Sequence, residues 1–112
     1  MKVYCDSSTK AACYVIEGQS PVFVLYNHQV TVNEGEYLAV ISALTDALRR
    51  KRTSIELFTD SQLVVSQVSG RWKCNHEHLR VLRDKVRQLT QNQVITIGWI
   101  PREENLAGRL LG

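Results

Sequence analysis

The chain has 112 residues, of which 44% are apolar and 22% are charged. These values are ordinary for a globular protein with one core, and they exclude a disordered or fibrous chain. The formal charge of +3 is small. Nine of the basic residues are arginines and five are lysines, so the positive charge is carried mostly by a residue suited to phosphate contacts. Charge alone does not establish a nucleic-acid partner.

The N-terminal part of the chain contains three short runs rich in Val, Tyr, Phe, Cys and Ile. They span residues 2–7, 11–17 and 21–28, and the turn sequences SSTK and GQS separate them. Short β-rich runs divided by polar turns are typical of antiparallel hairpins. The pattern therefore predicts three consecutive antiparallel strands.

A helical period replaces the strand pattern in residues 36–49. One apolar stripe consists of Tyr37, Ile41, Leu44 and Leu48, and an adjoining line of Val40, Ala43 and Ala47 begins at Glu36. We expect Asn33 to cap this helix, with Glu34 and Glu36 favoured in its first turn by the helix dipole. Glu36 then stands at the head of a buried face.

A basic run, Arg49, Arg50, Lys51 and Arg52, precedes a buried strand predicted over residues 54–59, which delivers Asp60 to its carboxyl end. A short helix over residues 61–69 follows and ends at Gly70, and a longer one runs from about Asn75 to about Leu89. Its buried face contains Leu79, Leu82, Val86 and Leu89. The last strand covers residues 93–100, and Pro101 begins a short final helix.

These elements predict an α/β domain with a mixed five-stranded sheet. A crossover connection through the first helix makes the fourth and fifth strands parallel to the first, while the three N-terminal strands stay antiparallel. Helices flank the sheet. No internal repeat or linker interrupts residues 1–112, so we expect a single domain.

Asp6, Glu36 and Asp60 are the candidate catalytic residues. Ligand sites gather near the carboxyl ends of parallel strands, where Asp6 and Asp60 both fall. Clustered carboxylates repel one another, so their convergence implies a bound cation, and Mg²⁺ is the first candidate. Metal-assisted cleavage of a phosphodiester follows as a hypothesis. Taken singly, each has another interpretation: a turn residue for Asp6 and helix caps for the other two.

Four segments, in order, resemble the ribonuclease H-like fold, and within it the small RNase H enzymes. They read YCDSS, TVNEGEY, FTDSQLVVSQVSGRW and GWIPREENLAG. The resemblance implies that Asp6, Glu36 and Asp60 are both the catalytic and the metal-binding residues, and that the reaction is hydrolysis of the RNA strand of an RNA/DNA hybrid. It also implies two Mg²⁺ ions, for which Mn²⁺ can substitute. We expect neither a small-molecule cofactor nor a membrane partner.

The residues expected to contact the hybrid are Ser7, Asn33, Ser61, Gln62 and Trp72. Asn33 and Gln62 resemble family positions that touch the minor groove, where a 2′-hydroxyl distinguishes RNA from DNA. Trp72 resembles an aromatic that lies against the DNA strand. The alternatives are a helix cap for Asn33, plain surface for Gln62 and a core position for Trp72.

A basic surface is a further candidate contact, since neutralised phosphates release counterions. Its members are Arg71, Lys73, Arg80, Arg83 and Arg87. A solvated helix face is the alternative interpretation of the last three. Trp99 lies in the last predicted strand and is expected in the core.

The chain departs from the family pattern at its last helix. The family usually reads N-x-x-A-D there, whereas this chain has Asn105, Leu106, Ala107 and Gly108, with the spacing one residue short. Glycine therefore replaces the fourth acidic residue. Glu103 or Glu104 is a candidate substitute, the alternative being a helix-dipole partner. The family's loop histidine is also absent, and His78 is expected to be a packing or surface residue.

Two other functions remain open. The loss of the acidic residue at Gly108 is compatible with a noncatalytic or weakly active nucleic-acid-binding module. A different nuclease on the same scaffold is the third possibility, because a fold does not fix a substrate. Against it, no further Asp follows Asp60 until Asp84.

Three cysteines, Cys5, Cys13 and Cys74, are odd in number and have no CxxC spacing, which argues against a disulfide framework or a zinc knuckle. The N-terminus lacks the apolar run of a secretion signal, and no stretch of about 18 apolar residues is present. A cytoplasmic location is therefore expected. The oligomeric state stays open.

Overall fold

The computed structural model describes residues 1–50 and 54–111. Lys51 and Arg52 of the predicted basic run lie outside the described residues. The elements are β1 (Lys2–Ser7), β2 (Ala11–Ile16), β3 (Val22–Leu25), α1 (Val32–Arg50), β4 (Ile55–Thr59), α2 (Gln62–Ser69), α3 (Glu77–Thr90), β5 (Ile95–Trp99), a 3₁₀ turn (Arg102–Glu104) and α4 (Leu106–Leu111).

The five strands form one sheet in the order β3-β2-β1-β4-β5. Pairs β1–β2 and β2–β3 are antiparallel, whereas β1–β4 and β4–β5 are parallel, which confirms the predicted mixed sheet. The parallel register pairs Cys5 with Thr59. The next residues, Asp6 within β1 and Asp60 directly after β4, therefore lie side by side.

Helix α1 covers β1 and β2 with its buried face and packs against α3 on another side. The line of Val40, Ala43 and Ala47 is completely buried, as are Tyr37 and Leu44. Ile41 and Leu48 of the predicted stripe are only partly buried. The most deeply buried face of α1 thus includes the line that begins at Glu36, and Glu36 itself is buried.

Helix α1 starts at Val32, two residues before the start at Glu34 that a cap at Asn33 predicts. Its cap is Thr31, whose Oγ1 accepts from the Glu34 backbone N–H at 3.1 Å, while Glu34 Oε1 accepts from the Thr31 N–H at 3.0 Å. This reciprocal pair is a capping box, and the spacing T-x-x-E announces it in the sequence. The prediction that Asn33 caps the helix is therefore wrong, because Asn33 lies exposed within the first turn.

Later boundaries shift by smaller amounts. Helix α2 agrees with the prediction: Ser61 caps it through a bond from the Val64 N–H at 3.2 Å, and Gly70 ends it with a left-handed φ of 87°. The final helix is split into the 3₁₀ turn and α4. None of the helices in the described part of the chain combines the length and apolar character that a membrane crossing needs.

Candidate active site

Asp6, Glu36 and Asp60 meet at one point of the structure. Asp6 is the penultimate residue of β1, Glu36 lies in the second turn of α1, and Asp60 follows β4 directly. One carboxylate oxygen from each lies within 4.8 Å of the others. Strand register supplies the first and third residues, and the packing of α1 on β1 supplies the second.

Two oxygens of this cluster are buried without a donor. Among the described residues, Asp6 Oδ2 and Asp60 Oδ2 accept no hydrogen bond. A buried acceptor left unpaired costs about 1–3 kcal/mol, and more when it is charged. Three converging carboxylates, two of which carry such a buried oxygen, are a donor set that fits a hard divalent cation.

Burial and mutual repulsion both act on the pKa values of two of these carboxyl groups. Burial, followed by the nearby Asp6 and Asp60, raises the pKa of Glu36 to about 8. Burial and Asp6 likewise raise the pKa of Asp60, against a lowering by Arg102. A cation bound between these groups would reverse both shifts, because it favours the ionised carboxylates.

Arg102 is the positive group of this site that sequence reasoning missed. Its Nη1 lies 3.6 Å from Asp6 Oδ2 and 3.8 Å from Asp60 Oδ2, while 61% of the side chain is exposed. The 3₁₀ turn after Pro101 brings the guanidinium over both carboxylates.

Gly108 lies against the cluster although its spacing departs from the family pattern. A Cβ at this position would stand 3.2 Å from Asp6 Oδ2. Glu103 and Glu104 are exposed in the 3₁₀ turn, and within the described chain the cluster contains neither of them. The structure thus gives no support to either glutamate as a replacement ligand.

Asn105 anchors the last helix beside Asp6. It is completely buried, its Nδ2 donates to Cys5 O at 2.9 Å, and its Oδ1 accepts from the Ala107 N–H at 3.1 Å. One amide side chain thus holds β1 and caps α4. The motif segment contained Asn105, but sequence reasoning assigned it no role.

A cleft of about 250 Å³ opens over the carboxylates. Besides the three acidic residues and Arg102, its lining includes Ser7, Asn33 and Ser61, which were predicted to contact substrate. Both serine hydroxyls have internal partners: Ser7 Oγ lies 2.8 Å from Tyr26 Oη, and Ser61 Oγ caps α2. Asn33 is the exposed member.

A second cleft, of about 460 Å³, is lined by Gln62, Val65, Ser66, Arg71, Trp72 and Trp99. Trp72 is 49% exposed, so the alternative core position for it is wrong. The prediction of a core position for Trp99 is also wrong, because β5 is an edge strand and leaves this side chain 45% exposed. Trp99 Nε1 donates to Asp60 O at 3.1 Å, which joins this cleft to the carboxylate cluster.

The sequence model of the family described as "Reverse transcriptase-like" matches residues 6–111. The chain belongs to the ribonuclease H-like superfamily. Its motifs and its structural neighbours place it with the small RNase H type.

Solved RNase H structures share this fold. RNase H1 from the halophilic archaeon Halobacterium salinarum superposes with a TM-score of 0.85 at 29% identity, over 98% of this chain and 92% of that one. LC11-RNase H1, solved in complex with an RNA/DNA hybrid, gives 0.77 at 22% identity, over 99% of both chains. At that identity, the second likeness shows the fold alone.

A sequence relative is the "Bifunctional protein Rv2228c" of Mycobacterium tuberculosis, 38% identical over 78 residues. The match covers 69% of this chain but 21% of the relative. The RNase H-like chain therefore spans about a fifth of the length of that relative.

The predicted basic surface of this RNase H-like chain is largely engaged in internal contacts. Arg80 donates to Cys74 O and Asn75 O, Arg83 pairs with Asp84 at 3.0 Å, and Arg87 donates to Gln67 O and Val68 O at the end of α2. Arg71 donates to Ser66 Oγ at 3.3 Å. A role for these residues in tracking phosphates stays a prediction.

Proposed function

We propose that this chain is a metal-dependent endoribonuclease that hydrolyses the RNA strand of RNA/DNA hybrids. The observation that carries the proposal is the convergence of Asp6, Glu36 and Asp60 within 4.8 Å, with two buried oxygens that accept no hydrogen bond from the described residues. Membership of the RNase H-like superfamily supports the choice of a nucleic-acid substrate.

Asp6, Glu36 and Asp60 would hold the divalent ions, which we propose to be Mg²⁺, with Mn²⁺ as a substitute. When bound, such ions supply an activated water and stabilise the leaving oxygen of the phosphodiester. The chain itself positions the three carboxylates: Asp6 near the end of β1, Glu36 in α1 and Asp60 directly after β4. Donors held by helices and strands are positioned more precisely than donors on loops.

The two clefts provide surfaces for the two strands of a hybrid. Asn33 presents an amide at the carboxylate cleft, where it can bond to a 2′-hydroxyl of the RNA strand. Gln62 and Trp72 line the neighbouring cleft, where an exposed indole offers a stacking or packing surface to the DNA strand. Ser7 and Ser61 contribute backbone and hydroxyl groups to the wall between helix and strands.

The decisive experiment compares labelled RNA/DNA, RNA/RNA and DNA/DNA duplexes with Mg²⁺, Mn²⁺ and EDTA. We expect cleavage of the RNA in the hybrid, dependent on the metal and abolished by Asp60→Asn. Asp84→Asn is the matched control, since Asp84 is an exposed carboxylate of α3 paired with Arg83. Equal inertness of the wild type and Asp60→Asn with every metal would contradict the proposal. Cleavage of another duplex would instead indicate a different nuclease.

A noncatalytic binding module is the second candidate, and two observations favour it. Gly108 occupies the place beside Asp6 where an acidic residue would serve, and Arg102 already neutralises Asp6 and Asp60 in part. Salt-dependent hybrid binding without cleavage, together with a melting temperature that no divalent ion changes, would favour this function over hydrolysis.

A further inference from the structure

Tyr26 joins two of the three elements that carry the carboxylates. Its hydroxyl oxygen lies 2.8 Å from Oγ of Ser7, the residue after Asp6. The same hydroxyl donates to the carbonyl of Gly35, the residue before Glu36, at 3.2 Å. The phenol therefore lies behind the carboxylate cluster and bridges the end of β1 to the first turns of α1.

The junction that Tyr26 spans is tightly packed. A Cβ at Gly35 would stand 2.5 Å from Ser7 Oγ and 3.0 Å from Ser8 O, closer than side chains tolerate. Any slip of α1 along β1 would therefore change the distance between Asp6 and Glu36.

We propose that Tyr26 is a positioning residue whose hydroxyl fixes the spacing of Asp6 and Glu36, and through it the affinity for the divalent cation. The inference rests on the proposed function, because it concerns the same carboxylates. Removing partners behind a metal site typically weakens binding by about 10- to 100-fold. The phenol is bonded to the Ser7 hydroxyl and the Gly35 carbonyl, so its effect on the cation would pass through the chain segments that carry Asp6 and Glu36.

Tyr14 provides a matched control within the same fold. Its hydroxyl donates to Asp46 Oδ2 at 2.8 Å and so also joins the sheet to α1, but ten residues beyond Glu36 along the helix. Tyr14→Phe and Tyr26→Phe each remove one phenol oxygen from a bond between sheet and helix. A purely structural role would give both variants the same phenotype.

The experiment is calorimetric titration of the wild type and both variants with MnCl₂, alongside thermal unfolding in EDTA and hybrid cleavage. We expect Tyr26→Phe to bind Mn²⁺ about tenfold more weakly. Its kcat should fall at limiting Mn²⁺ while KM for the hybrid is unchanged. Tyr14→Phe should lose thermal stability but keep the Mn²⁺ affinity of the wild type. Equal Mn²⁺ affinity in all three proteins would overturn the inference.

Two further outcomes are decided by the same measurements. If Tyr26→Phe does not fold, Ser7→Ala removes the other partner of the phenol, and wild-type Mn²⁺ affinity in that variant overturns the inference. A wild type that binds Mn²⁺ without cleaving the hybrid contradicts the proposed function, and the titrations still decide the role of Tyr26. A wild type that binds no Mn²⁺ overturns the inference directly.

Discussion

Gly108 faces Asp6 so closely that one added carbon at position 108 would lie 3.2 Å from Asp6 Oδ2. The contact is tight enough that Asp6 would have to move by a few tenths of an ångström. Position 108 therefore adjoins the carboxylate cluster in space, whatever its spacing in the sequence.

Gly108→Asp should restore a fourth carboxylate to the site. We expect about tenfold tighter Mn²⁺ binding and faster hybrid cleavage at limiting metal, because another hard oxygen donor joins the cation. In EDTA the same variant should melt at a lower temperature, since like charges are forced together. Calorimetry and thermal unfolding test both effects. Gly108→Asn has nearly the same shape without the charge, and an equal gain in that variant would contradict the explanation.

Arg102→Met should expose the competition between the guanidinium and the metal. The side chain is largely exposed, so the pairing is weak, and its removal should raise Mn²⁺ affinity by only about two- to fivefold. The metal-free protein should become less stable, because Asp6 and Asp60 lose their nearest cation. Arg109→Met is the control, since the Arg109 guanidinium bonds to the carbonyl of Glu103. Unchanged Mn²⁺ affinity in Arg102→Met would show that no competition exists.

The stability of the metal-free protein should fall as pH rises from about 5 to about 8. The folded-state pKa of Glu36 is about 8 against an ordinary 4.5, so in this window the folded chain retains a proton that the unfolded chain has lost. Stability falls with pH wherever the folded state binds more protons. The raised pKa of Asp60 acts in the same direction. Urea unfolding in EDTA at several pH values measures the slope.

Glu36→Gln should flatten that pH dependence, because the amide does not titrate. The affinity of the wild type for Mn²⁺ should have the opposite pH dependence to its stability in EDTA. Binding should strengthen as pH rises, because the cation displaces the proton held by the cluster. The free energy of unfolding in EDTA can change with pH by the same amount in Glu36→Gln and in the wild type. That result would show that other groups cause the pH dependence.

Trp72→Ala should weaken substrate binding more than turnover. The indole is half exposed in the cleft beside Gln62, and contacts between aromatic rings and bases are worth about 1–3 kcal/mol each. KM for the hybrid should therefore rise by about 5- to 150-fold with little change in kcat. Steady-state cleavage kinetics give both numbers. Val81→Ala, at an apolar residue 64% exposed on α3, should leave KM unchanged.

The sheet and its helices could be predicted because their signals are local or topological. The alternating and helical periods of apolar residues can be recognised within short segments of the sequence. The crossover rule then makes β1 and β4 parallel. That rule also brings Asp6 and Asp60 together. Thr31 shows a local signal that was present but not used, since T-x-x-E marks a capping box.

The remainder of the site depends on tertiary contacts that have no period in the sequence. Arg102 reaches the carboxylates through a 3₁₀ turn whose direction is set by Asn105 and β1. Trp99 is exposed because β5 has a neighbour on one side only, which its own sequence does not reveal. Tyr26 acquires its partners from two segments that approach each other only in the folded chain.

The bond from Asn105 to Cys5 O joins residues 100 positions apart. Within this domain, β1 therefore waits for the segment around Asn105 to be synthesised before the wall around Asp6 is closed. Contacts of such long sequence separation slow folding, and they form after most of the chain is available. We expect a nascent chain stalled before Asn105 emerges to lack a closed carboxylate site, so that the proposed cleavage would begin only after this segment has been synthesised.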